Sequence, residues 1–184
     1  MSQTLHDFSA AVESIISVNR DSEQGFRAAA DAVADPALKR MFIELSAQRA
    51  SFASEIQDAI RKLGFEPPNP LGATGTLHGV WITFKGAVLA NKDHAALVEA
   101  ERGEDQSVKA YQAGLAMILQ SELQGLIGRQ FAAIQTSHER IRTLRDQTAP
   151  PPPPAPAEKA PAETTAPAPA SARPVAAPEP VGKT

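Results

Sequence analysis

The chain has 184 residues, 16 prolines, no cysteine and a formal charge of −3 from 18 basic and 21 acidic side chains. The 36 residues from Ala149 to Thr184 hold 12 of the prolines, 11 alanines and three charges of each sign, so the whole −3 belongs to residues 1–148. The proline-rich end cannot bury enough apolar surface to offset the entropy of ordering it, and reads as a disordered tail at 149–184 behind a domain at 1–148 that is large enough for one core. Nucleic acid is not an expected partner, because a mildly acidic domain lacks the clustered Lys and Arg that displace counterions. Apolar runs such as Val80–Ile82 fall far short of the roughly 20 residues that a membrane span needs. The opening Met1-Ser2-Gln3-Thr4 has neither a basic region nor an apolar signal core, which makes the cytoplasm the expected location. Without cysteine there are no disulfides, thiolate zinc sites or Cys nucleophiles.

In chain order, Leu5, Phe8, Val12, Ile15, Phe26, Ala30 and Val33 have the three-and-four spacing of one helical face, with Thr4 and Asp7 placed to cap its start. Asp35-Pro36 ends this helix, because the residue before proline is pushed out of the helical region while proline suits the first position of the next helix. Leu38, Phe42, Leu45, Phe52, Ile56, Ile60 and Leu63 mark the second helix, and Gly64 is placed to close it. The segment FEPPNPLGATG, Phe65 to Gly75, is a loop, and Leu77, Val80, Trp81, Phe84 and Val88 then predict a short amphipathic crossover helix. Asp93 is expected to cap the third long helix, which carries Leu97, Val108, Tyr111, Leu115 and Ile118. Ser121 to Gln124 has capping-box spacing and opens the fourth, with Leu123, Ile127, Ile134, Ile141 and Leu144. Long helices with single apolar faces bury them only side by side. The expectation is therefore an all-α antiparallel four-helix bundle built from two helical hairpins and a long crossover.

The informative positions are the breaks in the apolar stripes. Asn19 and Ser22 or Glu23 interrupt the first helix, Arg49 the second, Glu101 and Glu104 the third, and His138 the fourth, with Gln135 one turn earlier. Counted from the hairpins these breaks lie at matching heights, so docking the hairpins in similar registers predicts one layer of Glu23, Arg49, Glu101, Glu104, Gln135 and His138. Carboxylates and imidazole in a bundle core are ligands for iron or another divalent transition metal.

The segments DSEQGFRAAA (Asp21 to Ala30), DPALKRMFIELSAQRASFASEI (Asp35 to Ile56), ERGEDQSVKAY (Glu101 to Tyr111) and RQFAAIQTSHERIRTLRD (Arg129 to Asp146) resemble a bacterial family of small ferritin-like four-helix bundles with no assigned function. The resemblance covers residues 4–147. It implies the superfamily's ligand pattern, one Glu from each of two helices and a Glu-x-x-His pair from each of the other two. Glu23 and Glu104 match the single carboxylates, with Glu101 as a neighbour able to substitute. The second-helix pair, however, becomes Ser46 and Arg49, and the fourth-helix pair becomes Gln135 and His138. Arg49 stands where an imidazole is expected, and a guanidinium neither deprotonates nor has a lone pair to donate.

Two main readings of the layer follow, with a small-ligand pocket as a third. In one, Arg49 flanked by Glu23, Glu101 or Glu104 is a self-satisfying ion-pair network that takes the place of a di-metal site, with no cofactor. In the other, Glu23, Glu101, Glu104 and His138 hold a single metal for iron handling or metal-dependent oxidation. His6, His78 and His94 stand singly, and no phosphate loop, dinucleotide fingerprint or nucleophile with its own base is present. The favoured expectation is a non-catalytic structural or interaction protein. A second copy is the expected partner by analogy with ferritin-like relatives; the tail reads first as a solvating appendage and alternatively as a spacer that docks a protein partner. That tail begins with the five-proline run Pro150 to Pro154, a stiff polyproline segment.

Overall fold

The computed structural model describes residues 2–68, 91–118 and 121–149. All belong to the first of the two units into which the chain divides, Met1–Pro150. The predicted crossover helix at 77–88 and the Pro/Ala tail from Pro150 onward fall outside the described residues.

Four helices make up nearly all of what is described: α1 (Ser2–Ala32), α2 (Pro36–Lys62), α3 (Lys92–Met117) and α4 (Ser121–Thr148). The α1–α2 turn forms as its sequence dictates. Asp35 is extended at φ −69° and ψ 120°, its carboxylate accepts from Ala37 N at 2.6 Å, and Pro36 opens α2 where a missing N–H is harmless. At the other end of α2, Gly64 takes φ +83°, and Phe65 N donates to Ile60 O at 3.1 Å, satisfying a carbonyl that the helix leaves free.

Two caps differ from expectation. Helix α1 already begins at Ser2, so Thr4 and Asp7 lie inside it. At α3 the cap is Asn91, which accepts from His94 N at 3.0 Å. Asp93 instead reaches across to accept from Ala34 N at 2.7 Å, where α1 has ended and its N–H groups need partners.

That bond also settles the connectivity. It places the start of α3 at the end of the bundle where α1 finishes and α2 begins. The ring of Phe8, near the start of α1, stands 6.0 Å from that of Phe65, just past α2, at the opposite end. Lys62 and Lys92 are therefore at opposite ends of the bundle, about 40 Å apart for a helix of this length. The connection between them is a crossover, and α2 and α3 run parallel on one diagonal. Every adjacent pair is antiparallel: α1 packs on α2 and α3, and α4 packs on α3 and more sparsely on α2.

The core is not continuous. One apolar cluster gathers Val12, Ile15, Ile16, Ile56, Ile60, Ile118, Leu123 and Ile127, and a second gathers Phe26, Ala29, Leu38, Phe42, Leu97, Ala100 and Ile141. Wholly buried Ile and Leu side chains such as these each contribute about 1.5–3 kcal/mol by leaving water. Between the clusters the inward positions are polar: Asn19, Ser22, Ser46, Arg49, Glu104, Ser107 and Ser137 are all buried, and Gln130 is buried one turn inside the first cluster.

Candidate functional site: a two-tier polar layer in the bundle core

The upper tier is built on Arg49 and Glu104, each with no solvent exposure. Nη2 of Arg49 donates to Oε1 and Oε2 of Glu104 at 2.8 and 2.9 Å, and to Ser137 Oγ at 2.7 Å. Ser137 Oγ lies 2.7 Å from Glu104 Oε2 and 2.9 Å from the Ile134 carbonyl, so its single proton can serve either acceptor. Residues from α2, α3 and α4 thus meet in a closed triangle. Helix α1 joins through the Ser22–Ser107 hydroxyl pair at 3.1 Å and through Ser46 Oγ, which donates to the Glu23 carbonyl at 2.9 Å. The arginine Cζ lies 5.8 Å from the Phe26 ring centroid and 5.6 Å from that of Phe52, within reach of both π faces. Among the fully buried side chains Arg49 is the largest by volume, and the serines around it are what make room for it.

The lower tier ties all four helices in one chain of hydrogen bonds. Asn19 Nδ2 donates to Ile15 O at 2.8 Å and to the Tyr111 hydroxyl at 2.7 Å. Tyr111 donates to Gln130 Oε1 at 2.9 Å, and Gln130 Nε2 donates to Glu55 Oε2 at 2.9 Å and more weakly to Phe52 O at 3.4 Å. Burial pushes the Tyr111 phenol well above its usual value, because the anion would lose its water; the bond from Asn19 and the Arg49 charge offset only part of this.

Of the residues expected in one layer, only Arg49 and Glu104 meet. Glu23 is half-buried and pairs with Arg20 at 3.1 Å. Glu101 lies at the α3–α4 rim, where Arg145 donates to it. His138 points to the same rim, its Nε2 2.8 Å from Asp105 Oδ1, and Gln135 is exposed on the outer face of α4. The single layer of six is corrected to one central pair with its outer members engaged elsewhere. Among the described residues no group of three or more His, Asp or Glu side chains could together hold a metal ion.

The reason is the phase of the stripes. Leu97, Glu104, Tyr111 and Ile118 recur every seven residues on α3, and Ile127, Ile134 and Ile141 do so on α4; all are wholly buried. A seam of this kind takes its intervening core position three residues after each α4 anchor, which selects Gln130 and Ser137 and leaves His138 on the flank. On α3 the same phase selects Ala100 and Ser107 and puts Glu101 and Val108 at the rim. Ser137, Gln130, Ser107 and Tyr111 as a hydrogen-bonding group were thus missed, although the seven-residue repeat could have found them.

Chemically, the upper tier is an acceptor carboxylate saturated by a fixed cation and a hydroxyl. Arg49, Glu104 and Ser137 are all buried, so the tier offers no open position to a substrate. The family model described as "Domain of unknown function (DUF2383)" matches residues 7–116, which include Asn19, Arg49, Glu104 and Tyr111. The chain belongs to this family. The matched DUF2383 segment covers α1 from Asp7 onward, α2 and nearly all of α3, so the α4 contributors Gln130 and Ser137 lie beyond it. No curated protein matches the chain.

Proposed function

We propose that this is a non-catalytic, ferritin-like helical-bundle protein with a structural or interaction role, in which Arg49 paired with Glu104 takes the position that a di-metal centre holds in metal-binding relatives of that fold. The observation that carries the reading is the wholly buried guanidinium with both Glu104 oxygens on one of its nitrogens. A metal in that layer would need Glu104 as a ligand, and the guanidinium already occupies that carboxylate as a permanent positive charge without a lone pair. Glu23, Glu101 and His138, the remaining donors that the ligand pattern names, are turned to Arg20, Arg145 and Asp105. The residues present do not fit a di-metal centre.

The proposed role is played in the cytoplasm through protein contacts, by a homodimer or by a partner docked on the proline-rich tail; no described helix is long and apolar enough to cross a membrane. Metal analysis of protein purified without chelator, with and without added ferrous iron, tests the reading. The expected result is metal well below one ion per chain in both samples. Stoichiometric metal that disappears in Glu104→Ala and His138→Ala would establish the iron-handling alternative instead. Deleting residues 149–184 tests the tail: co-purifying partners are expected to be lost, and an unchanged set would remove the docking role.

A further inference from the structure

Arg49 brings five N–H donors into the core, and the hydrogen bonds at Nη2 use only part of them. Its Nε and Nη1 are buried and have no hydrogen-bond partner among the described residues. Leaving buried donors unmade costs far more than the mean worth of a hydrogen bond, which makes the placement of these three N–H bonds informative.

The surroundings are polar and small. Ser46 precedes Arg49 by three residues on the same face of α2, and side chains on a helix lean toward its N-terminus, so the Arg49 stem passes Ser46 on its way to Glu104. Ser46 is tied to α1 at Glu23, beside Ser22. Ser22 is paired with Ser107, which follows Glu104 by three residues on α3. Three buried serines from three helices are therefore linked to one another at the turns that hold Arg49 and Glu104, in slots where neighbouring turns place Ile15, Phe26, Phe42, Leu45 and Tyr111. Each hydroxyl keeps a free acceptor lone pair.

We infer that this stretch of the core is an internal hydration site. One or two ordered waters accept from Arg49 Nε–H and Nη1–H and donate to the hydroxyls of Ser22, Ser46 or Ser107. Glu104 already balances the guanidinium charge, so the ligand that fits is neutral and both donor and acceptor, which is the chemistry of water and not of an anion. The inference deepens the ion-pair reading of the layer and rests on it.

The test is water-detected NMR on the full-length, nitrogen-15-labelled protein, read at the Arg49 Nε–H. Cross-peaks from long-lived water to this proton are expected, and they should fall several-fold in Ser46→Val, which fills the space, while the other arginine signals stay in place. An Arg49 Nε–H that is protected from exchange but shows no water cross-peak would mean a dry guanidinium capped by Phe26 and Phe52. That result overturns the hydration site alone. Exchange as fast as that of surface arginines would overturn the site and the buried ion pair together.

Discussion

Tyr111 shows how one side chain makes the layer testable by pH. It is the only tyrosine in the chain, so tyrosinate absorbance reports on it alone. Its folded-state value is raised above the ordinary 10.0. Below pH 10 both folded and unfolded chains hold the proton, and the associated stability is fully present. Above it the unfolded chain gives up the proton first, so stability falls as pH rises toward the folded value. Alkaline titration should therefore show tyrosinate appearing only together with loss of helical circular dichroism. A reversible titration near pH 10 with helices intact would contradict the buried assignment. Tyr111→Phe removes the link between Asn19 and Gln130 and leaves both buried amides short of a partner. Its expected cost in denaturant unfolding is about 1–3 kcal/mol, and an unchanged midpoint would show that the lower tier contributes nothing.

At the scale of the helices, close approach and caps decide the outcome. Gly114 of α3 is buried against Ile15 of α1, and a Cβ there would meet the Ile15 side chain, which is itself wholly buried. Glycine to alanine inside a helix ordinarily stabilises by about 1 kcal/mol. Here Gly114→Ala should lower the unfolding midpoint by about 1–2 kcal/mol of stability through overpacking, and the Ile15→Val background should relieve it. A rise in stability for Gly114→Ala alone would mean that the helices are not in close contact at this turn. Asp35→Ala removes the α2 cap and is expected to cost about 1 kcal/mol in the same assay.

The elements were largely legible because their signals are local: proline at position 36, glycine at 64 and the three-and-four spacing of large apolar side chains. Asp93 misled because a carboxylate one residue inside a helix start looks like a cap, whereas its partner, the Ala34 amide, is 59 residues away. His138 misled for another reason. A stripe with two candidates per turn leaves its phase open by one residue, and only the wholly buried anchors at seven-residue intervals fix it.

For the whole molecule, the crossover and the docking of the two hairpins follow from α3 starting beside the end of α1 while α2 ends beside its start. The hairpins were readable from their short turns, but the docking of one hairpin on the other was not, since the residues between Lys62 and Lys92 are numerous enough to reach either end of the bundle. That docking is what brings Arg49 to Glu104 and turns the remaining acids and the imidazole toward other partners. The upper tier then separates the two apolar clusters, and the lower tier one turn away ties all four helices. In the proposed reading this gives the bundle a fixed register without a metal ion, and the surfaces and tail are left to carry its interactions.

The central claim is that Glu104 is held in the core by Arg49, and a double-mutant cycle in denaturant tests it most directly. Arg49→Met alone and Glu104→Leu alone each strand a buried charge and should cost about 3–5 kcal/mol, whereas the double substitution should recover most of that loss, with the helix content of the parent. Single variants that unfold at the parent's denaturant concentration, or losses that simply add in the double variant, would contradict the account.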